Sequence, residues 1–184
     1  MPVFFLLILQ VSFASYPPKK FLLQRPALAT IEENIFKLLN EERKKRNLPL
    51  LSFSSDLSLL ARAHSQDMAH NQKLSHLSSS GESYTERLVR EGFYFVDRGE
   101  NVVFSETFKA EFIHKSLMES PAHRENILDP KFDQVGIGVV LKEESGYYVT
   151  QDFIQSLKLK DDKEAQGYLK NKLNSLRASL SLPL

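Results

Sequence analysis

The histidine in the segment 117–128, which reads L-M-E-S-P-A-H-R-E-N-I-L, is the residue of this chain placed best for chemistry. Ser120 and Pro121 are typical of a helix start, because a serine hydroxyl caps free N–H groups and proline has no N–H to leave unpaired. His123 would then lie in the first helical turn, where the helix dipole disfavours a positive charge on its ring. A neutral imidazole there is a candidate metal ligand or proton acceptor; the alternative is a histidine that only forms a local hydrogen bond.

Motifs of the common hydrolases are absent from the sequence. No H-E-x-x-H occurs, which excludes a zincin. The serine run at 78–80 lacks the flanking glycines of a nucleophile elbow. His64 lies on an apolar helix face, where a core residue with one hydrogen bond is expected. His70 and His114 are predicted to be surface residues.

The composition is that of an ordinary globular protein without a strong charge. The 184 residues include 42% hydrophobic and 26% charged residues, enough to build the core of one domain. A net charge of +1 gives no electrostatic reason to expect nucleic-acid binding. The chain has no cysteine, which excludes disulfides and a cysteine-linked lipid anchor. The basic residues at 43–46 are predicted to form a solvated helix end.

Helix-start signals and apolar spacing predict the elements that must position these residues. Thr30 with Glu33, and Ser83 with Glu86, have the spacing of capping boxes, and Asp56 is the expected N-cap of a helix between them. That middle helix carries one inward face: Leu57, Leu60, Ala61, His64 and Met68. Gly92 is expected to close the helix that starts near Ser83.

A fourth helix and three strands complete the predicted fold. The helix is expected at 106–118, with an inward face formed by Phe108, Phe112, Ile113 and Leu117. Strands are predicted at 102–104, 135–141 and 147–153, and the last two should form a hairpin across 142–146. Helices interleaved with these strands predict an α+β fold, a three-layer α-β-α sandwich with a small antiparallel sheet.

Four motifs, in this order, resemble those of the CAP superfamily, which comprises cysteine-rich secretory proteins, antigen 5 and plant pathogenesis-related proteins. They are A-R-A-H-S-Q-D-M-A at 61–69 with L-S-H at 74–76, G-E-N-V-V at 99–103, the segment that contains His123, and V-G-I-G-V-V at 135–140 followed by Y-Y-V-T-Q-D-F. The sequence is most similar to the cysteine-free bacterial branch, called SCP-like. The resemblance covers about residues 30–155 and implies the same three-layer sandwich.

The resemblance also implies a central cleft that carries two histidines and two glutamates. Position by position, the histidines fall on His76 and His123 and the first glutamate falls on Glu100. The second glutamate falls on Ser120, and the neighbouring Glu119 would point about 100° away around a helix. His76 and His123 are therefore the expected metal ligands, with zinc as the expected ion. Glu100 is expected as a third ligand, as the orienting acceptor of a histidine, or as a clamp on backbone N–H groups.

These residues and the family resemblance are compatible with two functions. One is a secreted, non-catalytic module whose cleft binds a metal ion, lipid, glycan or protein, with Ser120 among the cleft residues. The other is a weak metal- or serine-dependent peptidase or other hydrolase that uses His76, Glu100 and His123. The first is favoured, because no complete set of nucleophile, base and orienting group can be assigned.

The domain organisation predicted from these features has four parts. Residues 1–14 form an apolar segment ending in Ser-Phe-Ala, a signal peptide too short to span a bilayer. A linker at 15–29 leads to the CAP domain at 30–156. An amphipathic helical tail at 157–184 carries leucines at 169, 173, 176 and 180; it could dock on the domain, form a marginal helix or bind a partner. The expected location is extracellular or periplasmic, with no transmembrane span after removal of the signal.

Export gives the first testable prediction. Mature protein recovered outside the cytoplasm is expected to begin at Ser15, because the small residues before it are typical of a signal-peptidase site. N-terminal sequencing of the exported protein measures this directly. Full-length chain in the cytosol that still begins with Met1 would contradict the assignment.

Overall fold

A four-stranded sheet with strand order β1-β3-β4-β2 forms the middle layer of the protein. In this computed structural model the strands are β1 (Ser52–Phe53), β2 (Phe95–Ser105), β3 (Gln134–Lys142) and β4 (Gly146–Ser156). β3 and β4 form the predicted antiparallel hairpin, and β4 also pairs antiparallel with β2. The short β1, which was not predicted, runs parallel to β3, so the sheet is not wholly antiparallel.

The structure describes residues 19–143 and 145–158, together with residues 167, 168, 170, 171 and 174. The predicted signal peptide at 1–14 and the four tail leucines lie outside these residues. Within the described part of the chain, no helix combines the length and hydropathy needed to cross a membrane.

Five helices cover the two faces of the sheet: α1 (Lys19–Lys45), α2 (Ser55–Asn71), α3 (Tyr84–Arg90), α4 (Ala110–Glu119) and α5 (Pro121–Leu128). α2 and α3 pack on one face through Leu57, Leu60 and Leu88. The larger core lies on the other face, where α1, α4 and α5 bury their apolar stripes against β3 and β4. This arrangement confirms the predicted three-layer α-β-α sandwich.

Two glycines of β3 allow α2 to lie directly on the sheet. A Cβ atom at Gly136 would come within 2.2 Å of the backbone of Leu57, and one at Gly138 within 2.2 Å of the backbone nitrogen of Arg62. No side chain fits such a gap, so the V-G-I-G-V-V motif sets the distance between helix and sheet. The face of α2 predicted to be inward is buried accordingly.

Several predicted helix starts are wrong, each for a local reason. α1 begins at Lys19, so the expected linker is helical over 19–29 and Thr30 is not a cap; good helix formers such as Leu, Lys, Gln and Ala fill this stretch. The N-cap of α2 is Ser54, whose Oγ accepts the N–H of Leu57 at 3.3 Å, so Asp56 lies in the first turn. The capping box of Ser83 and Glu86 is confirmed.

α4 begins four residues later than predicted, at Ala110. Ser105 donates to the carbonyl of Thr107 at 2.9 Å and accepts its N–H at 3.2 Å, and these bonds hold the preceding residues in a turn. Ile113 and Leu117 are buried as expected, whereas Phe112 lies on the opposite side of the helix and is 58% exposed. Phe108, which precedes the helix, is exposed as well.

Arg43 overturns the prediction of a solvated helix end, because its side chain is completely buried. Its guanidinium donates to the carbonyls of Pro49 (2.7 Å), Ile127 (2.8 Å) and Asp129 (2.9 Å). A longer bond of 3.4 Å reaches the carbonyl of Phe132. One side chain of α1 therefore provides hydrogen-bond donors for carbonyl groups at the end of α5 and in the two loops beside it. Burial lowers the pKa of Arg43.

The Arg43→Met variant is therefore expected to lose at least about 3 kcal/mol of unfolding free energy, because buried carbonyls left without a donor cost about 1–3 kcal/mol each. Urea denaturation measures the loss. The adjacent Lys44 is exposed, and Lys44→Met should change stability by less than about 0.5 kcal/mol. Equal stability of the two variants would show that Arg43 is not a structural centre.

Candidate functional site

Glu100 is the centre of the candidate site and projects from β2 toward α2 and α3. Its carboxylate is nearly buried and forms an ion pair with Arg87, whose own side chain is buried too. The Nδ1 atom of His76 lies 2.8 Å from its Oε1 atom, and the Nε2 atom of His64 lies 3.8 Å from its Oε2 atom. One buried carboxylate thus contacts three basic side chains from separate parts of the chain.

Arg87 reaches this carboxylate because the capping box at Ser83 starts α3 one turn earlier. A second guanidinium nitrogen of Arg87 donates to the carbonyls of His76 and Glu82, each at 3.1 Å. Arg87 therefore fixes the backbone of the loop that carries His76. Arg87 was not among the predicted site residues, although its place one turn after a capping box could have indicated it.

His64 holds the other end of the same loop. Its Nε2 atom lies 2.8 Å from the carbonyl of Ser75, and its ring is buried in α2, so the expectation of a core histidine with one hydrogen bond is confirmed. Burial lowers the pKa of His64, although the nearby Glu100 opposes that shift. His64 is a structural neighbour of the site rather than a ligand-facing group.

His76 is the accessible histidine of the cluster, with 59% of its side chain exposed. The hydrogen bond with Glu100 raises the pKa of His76, because it favours the charged ring. Nδ1 is occupied by this bond, which leaves Nε2 as the ring nitrogen available to a ligand. Glu100 thus orients the ring of His76, one of the roles expected for it.

His123 comes from the opposite layer, in the first turn of α5. His76 is a charged neighbour that influences the pKa of His123. Burial lowers the pKa of His123, and the neighbouring His76 acts in the same direction. Both histidines lie beside β2, which is the edge strand of the sheet. Elements from the two helical layers can meet there without a further strand between them.

Two asparagines fasten α5 to this edge. Asn101 donates from Nδ2 to the carbonyl of His123 at 3.1 Å. Asn126 donates to the carbonyl of Glu100 at 3.1 Å and to Oδ1 of Asn101 at 2.8 Å. Neither asparagine was predicted to be important, although the Glu-Asn pairs in G-E-N and R-E-N could have drawn attention to them.

Ser120 occupies the predicted N-cap position of α5, but its side chain makes no capping hydrogen bond. The expectation that its hydroxyl caps the helix is therefore wrong, and Pro121 alone provides the helix-start signal. Across the described residues, no serine hydroxyl bonds to a histidine ring, so no serine–histidine pair of the hydrolase type is present there.

The side chains do not fit a zinc site with three protein ligands. Both oxygens of Glu100 are engaged: zinc would have to displace the imidazole of His76 from Oε1 or the guanidinium of Arg87 from Oε2. In the described part of the chain, no three histidine or acidic side chains are grouped as metal ligands. The expectation of Glu100 as a third ligand is therefore not supported, and two histidines alone do not form such a site.

The two remaining histidines, His70 and His114, differ in solvent exposure. His70 is exposed as predicted. His114 is not, because only 6% of it is accessible where α4 packs, and burial lowers the pKa of its ring. Its spacing of one residue after Ile113 and three before Leu117 places it on the buried face of the helix.

The family model of the cysteine-rich secretory protein family, CAP, matches residues 36–153. The chain belongs to this family. It is 35% identical over 128 residues to the uncharacterised protein YkwD of Bacillus subtilis, covering 70% of this chain and 48% of that protein. It is 30% identical over 126 residues to the uncharacterised membrane protein YlbC of Bacillus subtilis, covering 68% of this chain and 35% of that protein. The chain thus spans less than half the length of these two relatives.

Solved structures agree with this assignment. An extracellular protein with an SCP domain from Bacillus anthracis superposes with a TM-score of 0.67 at 28% identity, covering 78% of this chain and 45% of that one. An outer surface protein of Borrelia burgdorferi gives a TM-score of 0.65 at 17% identity, covering 70% of this chain and 94% of that one, and shows a shared fold alone. The absence of cysteine is consistent with the bacterial SCP-like branch.

Ser83 and Ser120, two of the serines at helix starts, provide a paired stability test. Ser83→Ala is expected to lower the unfolding free energy by about 1 kcal/mol, because its Oγ accepts a helical N–H. Ser120→Ala should change it by less than about 0.5 kcal/mol, because its hydroxyl makes no such bond. Chemical denaturation of both variants measures the difference. A loss at Ser120 as large as that at Ser83 would restore the capping role.

Proposed function

We propose that this chain is an exported CAP domain that binds a ligand without catalysis, on the face where His76 and His123 lie beside the edge strand. The observation that carries the proposal is the burial and pairing of the Glu100 carboxylate. Its carboxylate already pairs with Arg87 and His76, so it is not available as a general base or a nucleophile. What remains accessible is a set of ring nitrogens that can donate or accept hydrogen bonds.

The two histidines differ in protonation, which limits the ligand chemistry. The hydrogen bond to Glu100 raises the pKa of His76, whereas burial lowers the pKa of His123. The site therefore offers one ring that is protonated more readily than a free imidazole and one that is protonated less readily. A ligand rich in oxygen atoms, of the glycan or peptide type, matches this pair better than a lipid tail, because it can bond to both rings.

Location outside the cytoplasm is part of the same proposal. It is supported by the apolar segment at 1–14 and by the similarity to an extracellular SCP protein of Bacillus anthracis. An exported binding domain would present His76 and His123 to surface or extracellular polymers. In the two Bacillus subtilis relatives the matched region is less than half of the protein, so a domain of this type also occurs within longer chains.

Binding is tested by NMR titration of the purified protein with defined oligosaccharides and peptides. We expect chemical-shift changes centred on His76 and His123, and at least tenfold weaker binding in His76→Ala and His123→Ala, since each loses a hydrogen-bonding ring. His70→Ala is the matched control, because that histidine is exposed on the same helix layer but outside the cluster. Binding by the control should be unchanged.

The hydrolase alternative predicts different results. Turnover of peptide or ester substrates that is lost in His123→Ala, while the fold survives, would replace the binding proposal. Labelling of Ser120 by a serine-hydrolase probe would do the same. Equal binding by wild type and both cluster variants would place the ligand elsewhere on the protein.

A further inference from the structure

Asp152 lies next to the candidate site, and its carboxyl group is more deeply buried than that of Glu100. It is completely inaccessible to solvent, and no N–H or hydroxyl group in the described part of the chain donates to either of its oxygens. The register of β2 and β4 places it directly opposite Glu100. Its side chain has no role in the site as described so far.

The sheet geometry places these two residues side by side on neighbouring strands. The carbonyl of Ile154 bonds toward β3, and strand alternation points the backbone of Asp152 the same way, so Glu100 and Asp152 form a non-hydrogen-bonded pair of β2 and β4. In such pairs the Cα atoms are only about 4.5 Å apart and the side chains are closest. The two side chains leave the same face of the sheet, so the carboxyl of Asp152 is placed as the neighbour of the Glu100 carboxyl.

The charged and titratable groups around Asp152 come from three elements besides its own strand. β2 contributes Glu100, and α3 contributes Arg87 and Tyr84. α2 contributes His64, which lies 3.8 Å from Glu100. Arg87 is the buried cation of this group, and it is already paired with Glu100. The hydroxyl of Tyr84 donates elsewhere, to the carbonyl of Phe153 at 3.3 Å.

A second carboxylate here would have neither a donor nor a cation of its own. Burying an unpaired charge is far costlier than neutralising it with a proton. We propose that Asp152 is a protonated carboxylic acid that donates its hydrogen bond to Glu100, so that the two carboxyl groups carry a single negative charge matched to Arg87. Burial and the adjacent Glu100 both raise the pKa of Asp152 well above its usual range, in agreement with this assignment.

Asp152 is then a positioning residue for the candidate site. Its proton keeps the buried cluster near neutrality, so that His76 is drawn by one carboxylate rather than two. Its hydrogen bond also holds the Glu100 side chain in the orientation that His76 requires. The inference concerns the site proposed to bind ligand, but it holds whether or not a ligand binds, so its test is separate from the binding test.

The net charge of the folded protein tests the proposal. Asp152→Asn replaces one neutral group by another of the same shape, so its electrophoretic mobility at neutral pH should equal that of wild type. Asp97→Asn is the matched control: it makes the same chemical change on β2, at a carboxylate that faces Lys131 at 3.5 Å near the surface. That control should gain one positive charge. A charge change in Asp152→Asn equal to that of the control would overturn the proposal.

The pH dependence of stability gives a second readout with a defined sign. The folded chain would hold a proton on Asp152 that the unfolded chain releases above its ordinary pKa, so wild type loses stability relative to Asp152→Asn as pH rises. The ratio of their unfolding constants should change by about tenfold per pH unit between about pH 5 and 7. A ratio independent of pH would contradict the proposal.

If Asp152→Asn fails to fold, the wild-type protein still decides the question. Carbon NMR of the Asp152 carboxyl should show the chemical shift of the acid at neutral pH, with the exposed Asp97 as the internal reference for a carboxylate. A carboxylate shift for Asp152 would refute the protonated state.

Discussion

The ion pair between Glu100 and Arg87 is the interaction around which the site is organised. A buried carboxylate is tolerated only when charge and hydrogen bonds compensate it, so every element near Glu100 contributes to that compensation. α3 supplies Arg87, the loop after α2 supplies His76, and α2 itself supplies His64. The same groups bond to the loop backbone, so neutralising the charge and placing His76 are one structural event.

The sheet makes this arrangement possible through its order and its glycines. Successive side chains of a strand alternate, so Glu100 faces α2 while its neighbour Asn101 faces α5. Because β2 is an edge strand, the two helical layers can meet beside it. Gly136 and Gly138 let α2 approach the sheet closely enough for His64 to come near Glu100. On the far side, Arg43 fixes the end of α5, so the helix carrying His123 is held from both ends.

The sequence could predict what depends on local patterns and on motif resemblance. The three layers, the hairpin, the capping box at Ser83 and the placement of His76 near Glu100 follow from spacing or from the family pattern. Arg43 could not be distinguished from the exposed basic residues beside it, since its burial depends on carbonyls more than eighty residues away. The partners of Arg87 and Asp152 likewise come from strand register and loop closure, which no local window contains.

The charge balance of the cluster explains why an arrangement of histidines and carboxyl groups need not be a catalytic one. A general base needs an accessible lone pair, and a metal ligand needs an uncommitted one. The oxygens of Glu100 are paired with Arg87 and His76. Among the described residues, no group donates a hydrogen bond to the oxygens of Asp152. The interactions of the cluster therefore hold the loop that carries His76 in place. What these bonds leave exposed to solvent is the ring of His76, held in place by Glu100.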